Sequence, residues 1–137
     1  MLTWFRRWWS RSADTFGDRG EHAAERFLVK LGYRIVARQH RNAGGELDLV
    51  AIDGGTVVFI EVKSRSNEDR GQPVDAITPD KQRRLTRAAL VFLKQRQWLE
   101  RRCRFDVIAI VWSEDTAEPQ ITHYKHAFEA VGRGQMF

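Results

Sequence analysis

The stretch Gly44 to Arg65, GGELDLVAIDGGTVVFIEVKSR, constrains the fold most, because it sets charged side chains inside what otherwise reads as a buried two-stranded hairpin. Two apolar, β-branched runs, Leu47 with Leu49 to Ile52 and then Val57 to Ile60 with Val62, flank Asp53-Gly54-Gly55, a strong tight-turn signal. Glu46 and Asp48 lie two apart on the first strand, and Glu61 and Lys63 two apart on the second, so each pair shares one face. Antiparallel pairing across the turn sets Asp48 opposite Glu61. Two carboxylates ~4 Å apart at an effective dielectric of ~20 repel by about 4 kcal/mol, more than one exposed ion pair recovers. The pair therefore needs neutralising by a proton, by Lys63 in part, or by a hard divalent cation held by carboxylate oxygens and a backbone carbonyl; the cation does it best. Glu-x-Lys alone is commonplace on a solvated strand edge. An aspartate, a hairpin and then Glu-x-Lys closing an apolar strand is a rarer combination.

At 137 residues the chain predicts one domain with one core. Lys and Arg number 23 against 18 acidic residues, a net charge of +5, which favours a polyanionic partner, with nucleic acid first. Cys103 is the only cysteine, which excludes an internal disulfide and a cysteine-rich zinc site and suggests a reducing compartment. No apolar run approaches the ~20 residues of a membrane span and no secretory h-region opens the chain, so integral membrane association is not expected and a cytoplasmic location is.

Residues 1–16 form a basic, aromatic leader in which Trp4, Phe5, Trp8 and Trp9 interleave with Arg6, Arg7 and Arg11; it reads either as a frayed leader or as a stacking or interfacial segment. The domain proper is expected over residues 17–131, with a tail at 132–137. Gly17 to Leu31 predicts a helix with an Ala23, Ala24, Phe27, Leu28, Leu31 stripe, Asp18 as its N-cap and Glu21 completing a capping box. Tyr33 to Arg38 predicts a short strand, and His40 to Gly45 a flexible loop carrying Arg41. A polar, mobile connection, Ser64 to Ile77, contains Arg65, Arg70, Gly71 and Pro73. Thr78-Pro79 then opens a second helix with Leu85, Ala88, Ala89, Phe92 and Leu93 on one face. From Lys81 to Arg104 there are nine basic residues and one acidic, a bias beyond what solubility requires; Lys81, Arg83, Arg84 and Arg87 are candidate phosphate contacts. Arg104 to Trp112 predicts a buried strand in which Asp106 is a structural hydrogen-bond partner. Gln120 to Tyr124 predicts an edge strand, and His126 to Val131 a closing turn of helix.

Together the motifs GDRGEHAAERFL, GELDLVAIDGGTVVFIEVKSR, the helix opening with Lys81, the strand RFDVIAI and the terminal HAF resemble the YraN-type family, over about Gly17 to Phe128. More broadly the hairpin resembles that of the PD-(D/E)XK nuclease superfamily and of archaeal Holliday-junction resolvases. Leu47 stands where the superfamily has a proline before the aspartate, as in the closer family. The resemblance implies an α/β, restriction-endonuclease-like α-β-β-β-α-β core, a mixed sheet flanked by helices. It implies metal-dependent phosphodiester hydrolysis, most naturally of branched or flap DNA. Asp48 and Glu61 would hold Mg2+ or Mn2+ with the Val62 carbonyl, Glu25 of the first helix would act directly or through water, and Lys63 would orient the attacking water. Arg41 and Arg65 would join the nucleic-acid contacts, and a homodimer is compatible with the pattern. The competing reading is a non-catalytic nucleic-acid-binding module on the same fold, its acidic site structural.

Overall fold

The structure is a computed structural model that describes residues 16–66, 77–115 and 117–131. Residues 1–15 of the leader, Arg70, Gly71 and Pro73 of the connection, and the tail after Val131 lie outside it.

The elements run α1 (Phe16–Lys30), β1 (Arg34–Asn42), β2 (Gly45–Asp53), β3 (Thr56–Ser66), α2 (Pro79–Gln95), β4 (Cys103–Trp112) and β5 (Gln120–Phe128). One sheet takes the strands in chain order, antiparallel except where β3 and β4 pair in parallel across the α2 crossover. The run Val57 to Ile60 shows why the central strands carry almost no polar residues. Val57 and Phe59 join a core under α2, with Leu47, Val50, Leu85, Ala88, Phe92, Leu93 and Phe105. Val58 and Ile60 join a second core under α1, with Ala23, Ala24, Leu28, Leu49, Ala51, Ile108 and Ile110. Both faces are covered, so alternation gives way to continuous apolarity.

The β2–β3 hairpin forms as expected: Asp53 pairs with Thr56 and Leu49 with Ile60, and Gly54 takes the left-handed φ of +62° that the two-residue turn requires. The α2 cap is also as expected, Thr78 Oγ1 accepting from the Lys81 N–H at 3.1 Å with Pro79 in the first turn.

Four local expectations are corrected. Asp18 is not a cap, since α1 begins at Phe16 and places it inside the first turn, which frees Glu21 from any capping box. His40 to Gly45 is not a loop: β1 runs through Asn42 and turns tightly into β2. Its glycines answer to packing, because a Cβ on Gly44 would stand 2.6 Å from the Arg87 carbonyl oxygen. The Asn42 side chain fastens the same tip by donating to the Ala88 carbonyl at 3.0 Å. The edge strand extends past Tyr124 to Phe128, and no helix forms over His126 to Val131; instead the Val131 N–H is held by Thr86 Oγ1 at 3.0 Å. Asp106 explains that longer strand. Fully buried, it accepts from the Arg104 Nε at 2.9 Å, meets His123 Nε2 at 2.8 Å and takes the His126 N–H at 2.9 Å, bridging the register shift between β4 and β5. Burial alone would raise its carboxyl, but these hydrogen bonds outweigh it and hold it low.

Candidate active site

The β2–β3 register carried one step past Leu49 and Ile60 sets Asp48 opposite Glu61. Asp48 Oδ2 accepts the Val62 N–H at 2.9 Å, which turns its carboxyl toward the end of β3. Glu61 is only 7% exposed. Its Oε2 lies 3.7 Å from Lys63 Nζ and 3.4 Å from Lys81 Nζ, so the first turn of α2 delivers a second ammonium to the acid that β3 presents.

The electrostatics follow from this packing. Burial, then the charge of Glu61, push the Asp48 carboxyl up to about 8, and a hydrogen bond between the two carboxyl groups adds to the rise. The Val62 N–H opposes the shift without cancelling it. At neutral pH Asp48 is therefore biased toward its protonated form. Glu21 of α1 is the third acid: burial raises it, and so does the charge of Asp18, Glu46 and Glu61, while the Gln39 amide opposes. Gln39 Nε2 donates to Glu21 Oε1 at 3.0 Å and reaches Asp18 Oδ1 at 3.4 Å. Its backbone holds φ at +44° inside β1, a left-handed conformation that costs a non-glycine residue on the order of 1 kcal/mol or more.

The structure brings Asp48, Glu61, Lys63 and Lys81 together. Glu25 it places elsewhere, locked in a two-bond fork with Arg38 at 2.7 Å for each bond. That hydrogen bonding, ahead of every other influence, lowers the Glu25 carboxyl. Glu21, one turn earlier on the same helix face, is the α1 carboxylate that feels the acid pair. Its signal in the sequence is the i, i+4 relation to Glu25 at the helix end nearest the charged strand ends. Gln39 carried no signal, since nothing local marks a strand glutamine as left-handed. Arg41 is exposed and paired with Glu46 at 2.9 Å on the hairpin tip. Arg65 continues β3 beyond Lys63, half-buried. Arg83, Arg84 and Arg87 are exposed on α2, the first two within 3.4 and 3.6 Å of Asp80.

Hard oxygen donors and surplus acidity suit Mg2+ or Mn2+ in kind. Asp48 and Glu61 would be the first donors to such a cation, and the Val62 carbonyl and Glu21 the next. Among the described residues no three His, Cys, Asp or Glu side chains already form a metal cage. Uptake of a cation would displace the proton that burial favours on Asp48 and loosen the Lys contacts to Glu61. Cys103 is no alternative ligand, since burial pushes its thiol up to about 11.

Fold and site define a class: an α/β protein whose five-stranded mixed sheet, packed between two helices, carries a pair of acids, Glu61 buried and Asp48 half-buried, with two lysines beside them. The chain belongs to the uncharacterised protein family UPF0102, whose pattern matches residues 20–110, and this is the YraN-type family its motifs resemble. It is similar to a UPF0102 protein of Geobacter sulfurreducens, 48% identical over 113 residues that cover 82% of this chain and 88% of the relative. A UPF0102 protein of Geotalea uraniireducens is 45% identical over 115 residues, covering 84% and 90%. One from Chlorobium phaeobacteroides is 43% identical over 116 residues, covering 82% and 92%. Among the described residues no helix is long and apolar enough to cross a membrane.

Proposed function

We propose that the chain is a metal-dependent endonuclease of the PD-(D/E)XK type, hydrolysing phosphodiester bonds in DNA, branched or flap structures first. The observation that carries this reading is the Asp48–Glu61 pair, two neighbouring acids at the end of the hairpin strands with Lys63 and Lys81 3.7 and 3.4 Å from Glu61. An apolar pair of the same size would stabilise the fold better, so its presence points to chemistry. Bound there, Mg2+ or Mn2+ would supply Lewis acidity toward a phosphate oxygen and a more acidic water. The residues do the rest. Asp48 and Glu61 would supply negative oxygen ligands, Glu21 would add a third carboxylate positioned by Gln39, and Lys63 would orient a water or meet charge developing on the phosphorus centre. Lys81 would steady a non-bridging oxygen. The net charge of +5 and the exposed Arg83, Arg84 and Arg87 favour a phosphate backbone as partner.

Calorimetric titration of Mn2+ and Mg2+, paired with cleavage of labelled flap and four-way DNA, tests the reading. Wild type is expected to bind one cation and cut. Lys63→Ala should bind the cation without cutting, and Asp48→Asn should do neither. Wild type that binds DNA but neither cation nor cleaves would make the protein the non-catalytic binding module instead.

A further inference from the structure

At ~100° per residue, Arg83, Arg87 and Lys94 fall within about 40° of one another on α2, on the face opposite Leu85, Ala88, Ala89, Phe92 and Leu93. The chain after α2 folds back on its last turn, with the Gln97 N–H on the Lys94 carbonyl at 3.1 Å and the Trp98 N–H on the Leu93 carbonyl at 2.8 Å. This gathers Arg96, Arg101 and Arg102 at the helix end farthest from Glu61. Complementing a helix dipole takes one cation, and Lys94 already supplies it. The others need a different explanation.

Two of them are held ready. The Arg101 guanidinium lies 4.4 Å above the Trp98 ring, and that of Arg96 4.7 Å above Phe92 and 5.5 Å from Trp98. A ring takes the flat face of a guanidinium and leaves its N–H edge for oxygen acceptors. Among the described residues no carboxylate lies within ion-pair reach of Arg87, Lys94, Arg96, Arg101 or Arg102, although Glu100 is adjacent in sequence. The surface is therefore a row of exposed cations along the outer face of α2, beginning in the turn whose Lys81 reaches Glu61 on the sheet side and ending one helix length away.

We propose that α2 seats a double-stranded nucleic-acid arm along its length, with the acid pair at one end of that arm and the Lys94, Arg96, Arg101, Arg102 cluster gripping its backbone at the other. This rests on the nucleic-acid reading above and adds a measured substrate to it. Seventeen residues at ~1.5 Å each give a face ~25 Å long, which spans about seven base pairs at ~3.4 Å per step. The β1–β2 turn, which carries Arg41, docks on the Arg87 and Ala88 backbone at the middle of α2 and leaves the far half of the helix face uncovered. A substrate with a duplex arm shorter than the helix reaches the near contacts and misses the far ones.

Fluorescence anisotropy on DNA hairpins with stems of roughly 4 and roughly 12 base pairs reads this directly, with wild type and a Lys94→Gln, Arg101→Gln, Arg102→Gln triple variant. The long stem should bind wild type more tightly. The triple variant should lose about tenfold or more on the long stem, flatten its salt slope by about 0.9 per contact removed, and bind the short stem like wild type. Because Arg101 also packs on Trp98, the Lys94→Gln, Arg102→Gln double variant is run beside it and should show the same stem-length dependence at smaller size. Equal losses on both stems, or none, would overturn the arm geometry while leaving nucleic-acid binding intact. Binding to anionic vesicles that the variants abolish while stem binding stays unchanged would overturn it in favour of a membrane surface. Wild type that binds neither stem would overturn both this inference and the function it rests on.

Discussion

Asp48→Asn removes the titrating carboxyl of Asp48 without changing the side chain's shape. The amide oxygen can go on accepting the Val62 N–H now 2.9 Å away, and the amide nitrogen can donate to Glu61 where the proton sat. In the folded chain the Asp48 carboxyl is raised to about 8, against ~3.9 in an unfolded chain. With a raised folded value, the stability is whole below the unfolded pKa and is lost as pH climbs through the folded one. Each unit between them is worth up to ~1.36 kcal/mol, which sets a ceiling of ~4 kcal/mol at neutral pH. Lys63 and Lys81, 3.7 and 3.4 Å from Glu61, offset some of it, so the expected gain is about 1–3 kcal/mol. Urea unfolding of both proteins in chelator, at steps from about pH 4 to about pH 8.5, should show curves that coincide in acid and separate in favour of the variant as pH rises. Subtracting one protein from the other cancels His40, whose burial and neighbouring Arg96 lower it and whose contribution runs the opposite way. A difference that is flat with pH, or a variant less stable at pH 8, would refute the raised Asp48 carboxyl and with it the cause assigned to the shift.

Gly44→Ala would drive a methyl within 2.6 Å of the Arg87 carbonyl oxygen, and thermal unfolding should show a loss of about 1–3 kcal/mol with the secondary structure intact. Glu21→Gln should weaken Mn2+ binding at least several-fold by calorimetry, whereas Glu25→Gln should leave it unchanged and cost under about 1 kcal/mol for its fork with the exposed Arg38. Phe92→Ala, in a fully buried site touching Phe59, His40 and Trp98, should cost about 3–5 kcal/mol in urea unfolding.

What the sequence revealed and what it hid divide along the range of the forces involved. The hairpin, the Asp48–Glu61 apposition and the Thr78 cap are consequences of neighbours in the chain, a two-residue turn or a three-residue reach, so local chemistry exposes them. Glu21 and Glu25 share a face of α1, and only the fork from Arg38 on β1 separates their roles, a contact thirteen residues away. The Gly44-Gly45 pair has the composition of a loop, yet its small size answers to the backbone of a helix more than forty residues on. His126 to Val131 has no strand pattern of its own; Asp106 and Thr86 hold it from β4 and α2.

The seat of the hairpin tip on α2 also has a mechanical side. With no side chain at Gly44 to act as a cushion, and Asn42 bolted to the Ala88 carbonyl, β2 and α2 meet backbone to backbone. A force on the arginines of α2 is then transmitted through a stiff joint to the strand that carries Asp48, four residues farther along. Lys81 rides on the same helix and lies 3.4 Å from Glu61. Loading the outer face of α2 would thus tilt two members of the acid and lysine cluster together, so that occupancy of one surface is felt as strain at the other.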